Sequence, residues 1–191
     1  LRAALKVDFE SVWDVVSATI SLDRASTSLS FKFDWVNSQK NHILNVVFEL
    51  NQPIQEVFSE DMNTLIKRNF DADYNIRENL PTTRGVEVKN NTAPMQRGLL
   101  IDEENNNLGI VTKGLTQYEV YKNTLMLPIL RSTGVISNPQ NPARTTPAGP
   151  PIDVQGLQQL GENTVEFTIG FFPANDWANY VEEIYPQTLL F

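Results

Sequence analysis

The sequence contains no cysteine and only one histidine, His42. Without thiols the chain can form neither a disulfide framework nor a thiolate metal site, and one imidazole excludes a multi-histidine metal centre. No run of about 18 apolar residues occurs, which excludes a membrane-spanning helix. The 15 Lys and Arg against 23 Asp and Glu give a net charge of −8 with no basic stripe, which argues against a nucleic-acid partner.

The first residue is Leu1 rather than Met, and no signal-like apolar stretch follows it. We therefore expect a piece of a longer protein or a processed product, and a cytoplasmic location. The 191 residues, 41% of them apolar and 20% charged, fit one globular domain, 1–191, with room for a sizeable core.

Period-two alternation is the dominant pattern along the chain. Over 28–36, Leu29, Phe31, Phe33 and Trp35 alternate with polar residues, and 163–172 repeats the pattern with Val165, Phe167, Ile169 and Phe171 inward. Further strand candidates are 12–20, 43–50, 62–67, 97–102, 108–113, 117–122 and 124–131. These short, closely spaced segments favour an antiparallel sandwich or a related all-β architecture over a parallel α/β sheet.

Helical signal is sparse and predicts at most one or two short helices. The better candidate is 175–185, which has apolar residues at helical spacing and ends before Pro186. A weaker candidate lies near 53–60, beginning at Pro53. Five prolines within 137–151 exclude regular structure there. This stretch is a domain linker or a long surface loop, and we favour the loop because the strand at 163–172 needs earlier partners.

Isolated motifs carry little chemistry. Asp71, Asp73 and Asn75 have the spacing of the first calcium-loop ligands, but Ile76 and Thr82 replace the required Gly and Glu, which favours a solvated turn. We interpret His42 as a polar edge residue or a hydrogen-bonded histidine, since no nucleophile pattern surrounds it in sequence. The acidic groups Glu60-Asp61, Asp102-Glu103-Glu104 and Glu182-Glu183 are interpreted as surface charge, because neighbours on a strand point to opposite faces.

Arg131 is the strongest candidate for a ligand contact. It ends the apolar run 125–130 and precedes the proline-rich stretch, and side chains at such strand ends often bind ligands. The competing interpretation, which composition alone favours, is an edge arginine that pairs with a surface carboxylate.

Longer ordered motifs resemble a known family. Gly114-Leu-Thr-Gln-Tyr118-Glu119-Val120 is followed by Leu125-Met-Leu-Pro-Ile-Leu-Arg131-Ser-Thr-Gly134. Asp34-Trp35-Val36-Asn37, Asn41-His42-Ile43-Leu44-Asn45-Val46, Pro94-Met95-Gln96-Arg97 and Gly149-Pro150-Pro151 with Val154-Gln155-Gly156 complete the series. This series resembles the C-terminal region of glycoside hydrolase family 38, the zinc-dependent retaining α-mannosidases, and is closest to bacterial members, which include mannosylglycerate hydrolase-like enzymes. Departures are Ile43, where the family commonly has Arg, and 75–81, which only loosely matches a Gly-x-x-x-Arg-Pro signature.

The resemblance implies a galactose mutarotase-like β-supersandwich that follows the catalytic domain of a larger enzyme. The catalytic aspartate and the zinc ligands of the family lie in an N-terminal domain that this chain does not resemble. The resemblance therefore implies a non-catalytic C-terminal domain with no metal of its own, which packs on its catalytic domain and completes the active-site wall for a mannoside. Arg131 and Tyr118 are the implied substrate-binding residues, and the parent enzyme is expected to be a hydrolase that forms homo-oligomers.

An independent carbohydrate-binding module is the alternative. It needs an exposed aromatic platform, for which Trp13, Trp35 and Trp177 are the tryptophan candidates. Alternation places Trp35 in the core, and helical spacing buries Trp177. A mutarotase-like enzyme is disfavoured because one histidine does not supply the usual acid/base pair.

Overall fold

The computed structural model describes residues 1–11, 14–24, 26–62, 64–74, 88–102, 106–141, 144 and 146–173. Within these ranges the chain forms fourteen β-strands and one 3₁₀ turn, Gln155–Gln158. The strands are β1 Arg2–Glu10, β2 Val15–Asp23, β3 Ser28–Asn37, β4 Ile43–Glu49, β5 Glu56–Asp61, β6 Thr64–Asn69, β7 Thr92–Pro94, β8 Gly98–Asp102, β9 Asn106–Thr112, β10 Gln117–Tyr121, β11 Thr124–Arg131, β12 Val135–Ile136, β13 Ile152–Asp153 and β14 Gly161–Pro173.

Two antiparallel sheets make up most of the described structure. The large sheet has eight strands in the order β1-β2-β3-β14-β9-β8-β5-β6, and the small sheet has four in the order β4-β11-β10-β7. The long strand β14 joins two blocks of the large sheet, because it pairs with β3 through Glu166–Lys32 and with β9 through Ile169–Ile110. These sheets confirm the predicted all-β antiparallel class.

The core lies between the two sheets. Phe33, Trp35 and Phe167 of the large sheet are buried, and they belong to the same apolar cluster as Leu125 and Leu127 of the small sheet. The rings of Phe48 and Phe167 meet edge to face across the two sheets, with centroids 6.1 Å apart. Alternation in β3 therefore predicted correctly which face is apolar and buried.

Two local predictions are wrong. Residues 53–60 are not helical: 56–61 form β5, which pairs with β6 and, through Phe58 and Ser59, with β8. Phe171 shares the face of Phe167 and Ile169 but is 59% exposed and not in the core, because β3 ends opposite Gly170 and leaves one side of β14 without a described neighbouring strand at that point. The predicted helix at 175–185 lies outside the described residues.

The proline-rich stretch leaves and re-enters the fold at adjacent positions. β12 and β13 flank it and pair through Val135–Asp153 and Ile136–Ile152. Just inside them, the amide of Gly149 donates to the hydroxyl of Ser137, with 2.7 Å between the nitrogen and oxygen. In the part of the chain that the structure describes, no helix has the length and apolar character needed to span a membrane.

Candidate functional site around Arg131

Arg131 lies at the end of β11, beside a break in the strand register. β11 pairs with β4 from Thr124 onward, and the register shifts between Pro128 and Leu130. This irregularity leaves Arg131 opposite Ile43 with its side chain exposed. The guanidinium Nη1 donates to Oε1 of Gln117 at 2.9 Å, which holds the side chain across the outer surface of the small sheet. The partner among the described residues is thus an amide and not a carboxylate.

A pocket of about 760 Å3 opens beside Arg131. Its walls come from the start of β4, the end of β11, the first part of the proline-rich stretch and the strand β13. The lining side chains include His42, Arg131, Thr133, Asn138, Gln140 and Asp153. This set provides a cation, a carboxylate, amides and a hydroxyl, which are the groups that hydrogen-bond the hydroxyls of a polar ligand. We call it the Arg131 pocket.

His42 lies where the Arg131 pocket borders a second pocket, which contains Trp35. Its backbone carbonyl accepts from the amide of Ser132, with 2.9 Å between nitrogen and oxygen, so β4 and β11 stay joined at this end. Its Nδ1 is buried and has no hydrogen-bond partner among the described residues. His42 therefore lines two pockets, which sequence analysis missed when it interpreted this residue as a polar edge position.

A network of buried polar groups supports the pocket from behind. The side chain of Gln158 is its centre. Oε1 accepts from the Ser132 hydroxyl at 2.7 Å and from the backbone amide of Asn41 at 2.9 Å, and Nε2 donates to the side-chain Oδ1 of Asn41 at 2.8 Å. Asn37 donates to the backbone carbonyl of Gln158 at 3.0 Å, and the amide of Gly134 donates to Asn41 Oδ1 at 3.1 Å. The network joins three loops that are far apart in sequence.

Tyr118 is in a different environment from Arg131. Its side chain has no exposed surface, and its hydroxyl donates to Ser59 Oγ across the two sheets at 3.3 Å. Burial raises the pKa of the Tyr118 phenol, and the bond to Ser59 opposes that rise. Although Gln117 next to it contacts Arg131, the two predicted site residues face opposite sides of the small sheet, and a ligand at Arg131 does not meet Tyr118.

One acidic pair is not the surface charge that the sequence predicted. Glu60 is only 3% exposed, and Arg97 Nε lies 2.8 Å from its Oε2 in a bidentate pair. Its neighbour Asp61 points the other way and accepts from Arg68 Nη2 at 2.9 Å. A buried carboxylate requires such a partner, and this one comes from 37 residues further along the chain.

The other acidic candidates lie in part outside the described residues. Asp73 donates its amide to Asp71 Oδ1 at 3.2 Å, the arrangement of an Asx turn, and the remaining positions of the calcium-like pattern lie outside the described residues. Residues 103–105 and the pair Glu182-Glu183 lie outside them too. Among the residues that the structure does describe, no three His, Asp or Glu side chains are grouped to hold a metal ion.

Comparison with solved structures shows a likeness of fold. An alpha-mannosidase from Enterococcus faecalis V583 superposes with a TM-score of 0.71 and 17% identity, over 92% of this chain and 18% of its own. A protein in the glycosyl hydrolase family 38 from Enterococcus faecalis gives the same values. The chain therefore spans about a fifth of the length of these neighbours. No protein-family model and no curated protein matches the sequence.

Proposed function

We propose that this chain is the non-catalytic C-terminal β domain of a zinc-dependent retaining α-mannosidase-like glycosidase of family 38. Two independent observations support this. The sequence resembles that family in an ordered series of motifs, and the fold is similar over 92% of the chain to an alpha-mannosidase chain about five times longer. The proposal includes a cytoplasmic location, homo-oligomers of the parent enzyme and the supersandwich topology of the family.

The observation that carries the proposal is the convergence of the motif segments at one place. Asn37 and Asn41 belong to the motifs at 34–46, Ser132 and Gly134 to the motif that ends in Arg131-Ser-Thr-Gly134, and Gln158 follows the motif at 149–156. All five meet in the network behind the Arg131 pocket. Motifs that are dispersed in sequence and adjacent in space are expected where they build a shared site.

Arg131 is the residue through which the domain would touch a mannoside. Its guanidinium presents several donors in a fixed plane, and Gln117 already orients it. Asp153 and Asn138, which line the same pocket, supply acceptors for sugar hydroxyls. We propose the contact for Arg131 alone, because Tyr118 faces the core. The zinc and the nucleophile of the parent enzyme are proposed for the polypeptide outside these residues.

Activity measurements test the proposal. The isolated 191 residues, supplied with zinc, should not hydrolyse an aryl α-mannoside, whereas the full-length parent should. In the parent, Arg131→Ala should raise KM or lower kcat/KM without loss of folded protein. Arg24→Ala is the matched control, because Arg24 is an exposed arginine outside the pocket. Hydrolysis by the isolated chain, or equal kinetics for the two variants, would contradict the proposed role.

The alternative, an independent carbohydrate-binding module, loses one of its platform candidates. Trp35 is only 6% exposed and packs in the core, while Trp13 and Trp177 lie outside the described residues. Titration of the isolated chain with methyl α-mannoside, followed by tryptophan fluorescence, separates the two functions. Saturable quenching supports a module, and an unchanged spectrum supports a domain that needs its parent.

A further inference from the structure

The first two strands carry an apolar face that is covered only in part: Ala18 of β2 is buried in the core, whereas most of the β1 side chains on this face are exposed. In the β1–β2 pair, Leu5 lies opposite Ile20 and Phe9 lies opposite Val16. This register continues across β3, where Ile20 pairs with Phe31 and Val16 with Trp35. The apolar side chains of β1 and β2 therefore point to the same side of the large sheet as the buried core.

Burial stops abruptly between β3 and β1. Phe33 and Trp35 on β3 are 8% and 6% exposed, whereas Leu5 and Phe9 on β1 are 60% and 55% exposed. The cause is the difference in width between the sheets, since the small sheet has four strands and the large one has eight. We call this face the β1–β2 ledge, defined by the exposed Leu5, Phe9 and Leu22 and the half-buried Val7 and Ile20.

The outer edge of the ledge is open as well. β1 is nine residues long, and among the described strands only β2 pairs with it. Every second backbone amide and carbonyl of β1 therefore points outward along the sheet plane. Long edges that lie next to an apolar face are usually blunted or covered in proteins that stay monomeric.

A cavity, which we call the socket, lies at the Phe9 end of the ledge. It has a volume of about 610 Å3 and lies between the β1–β2 connection and the start of β4. Phe9, Val16, Trp35 and Leu44 form its apolar surface, and Glu10, Asp14 and Lys40 add two carboxylates and one ammonium group. The Trp35 indole Nε1 is buried and has no acceptor among the described residues. The socket is thus suited to an apolar side chain accompanied by a basic group.

We infer that the β1–β2 ledge is an interdomain docking surface, covered in the parent enzyme by an apolar segment of the same polypeptide outside residues 1–191. This rests on the proposed function, which places the chain in a larger polypeptide; the alpha-mannosidase chain of similar fold, of which this chain covers 18%, supports it. Tethering favours this occupant over a second copy, because a segment on the same chain competes at a high effective concentration. The segment adds a strand to β1 or packs across the ledge, and inserts one side chain into the socket.

Thiol labelling tests the inference, because these 191 residues contain no cysteine. Leu5→Cys and Phe9→Cys place reporters on the ledge, and neither change opens the core, because both side chains are more than half exposed. Val36→Cys is the matched control: Val36 is 58% exposed, but it lies on the opposite face of the large sheet. Maleimide labelling is followed by peptide mass spectrometry, so that any cysteine elsewhere in the full-length parent is resolved from the reporters.

In the isolated chain all three reporters should label at similar rates. In the full-length parent the two ledge reporters should label at least about tenfold more slowly while the control stays unchanged, since thiol reactivity follows exposure. Equal labelling of the ledge in both proteins would overturn the inference. Protection in the isolated chain that grows with protein concentration would overturn it too, because the occupant would then be a second copy.

Mannosidase activity is measured separately in the same preparations. A protected ledge in a parent without that activity would leave the docking surface intact and refute the proposed function.

Discussion

Gly134 is the position where a single methyl group should do the most damage to the Arg131 pocket. A Cβ added at Gly134 would lie 2.4 Å from Nε2 of Gln158 and 3.5 Å from Oδ1 of Asn41. The first distance is shorter than any van der Waals contact, so the Gln158 amide must move. Gln158 is only 2% exposed, so its side chain cannot relieve the clash by rotating into solvent.

The cost follows from the bonds that this amide makes. Moving it breaks or bends three hydrogen bonds: it accepts from the backbone amide of Asn41 and from the hydroxyl of Ser132, and it donates to Asn41 Oδ1. Each buried bond contributes about 0.5–1.5 kcal/mol net, and more when a buried partner is left unsatisfied. We expect Gly134→Ala to lower the free energy of unfolding by roughly 2–4 kcal/mol.

Urea denaturation followed by tryptophan fluorescence measures this change, with equal m-values as the check on two-state unfolding. Gly156→Ala is the control: a Cβ there meets nothing within 4 Å, so its stability should stay within about 1 kcal/mol of wild type. The decisive variant is Gly134→Ala combined with Gln158→Ala, which removes the obstructing amide. If Gly134→Ala costs the same with and without Gln158, or costs less than about 0.5 kcal/mol alone, the steric argument is wrong.

Three further predictions use the same denaturation assay. Phe33→Ala should cost about 3–5 kcal/mol and Phe171→Ala under about 1, because only the first ring is buried, and similar costs would contradict this difference in burial. Glu60→Gln should cost about 3–5 kcal/mol because it removes the buried carboxylate that pairs with Arg97, and a neutral result would mean that the pair is not formed. Burial raises the pKa of Glu119, so the folded state binds its proton more tightly than the unfolded chain and stability falls as pH rises above the ordinary glutamate range. Glu119→Gln should therefore stabilise the protein at pH 7 but not at pH 4, and a gain of equal size at both would refute the assignment.

The sequence predicted well where local pattern determines structure. Alternation in 28–36 and 163–172 identified β3 and β14 and placed Phe33, Trp35 and Phe167 in the core. Alternation works because each strand has one apolar and one polar face, and that property is contained in the strand's own residues.

Prediction from the sequence failed where a residue's structure depends on a contact with a residue far away in the sequence. Residues 53–60 have apolar positions at helical spacing, yet pairing with β6 and β8 makes 56–61 a strand. Glu60 looked like surface charge because its partner Arg97 lies in another segment. The candidate site divides in the same way: Arg131 was recognisable as a strand-end arginine, but the network of Gln158, Asn41 and Ser132 depends on loops that only the folded chain brings together.

Two features connect this chain with a larger protein, the motifs around Arg131 and the β1–β2 ledge, and they do so through different physical effects. The motifs around Arg131 concern hydrogen-bond geometry and argue for a particular kind of enzyme. The β1–β2 ledge concerns burial: an amphipathic strand whose apolar face stays 55–60% exposed at Leu5 and Phe9 loses the hydrophobic stabilisation that its pattern allows. A polypeptide segment across that face would recover it whatever reaction the parent performs. The motifs and the ledge therefore support a larger parent protein for separate reasons. The labelling experiment tests the ledge without depending on the reaction that the motifs imply.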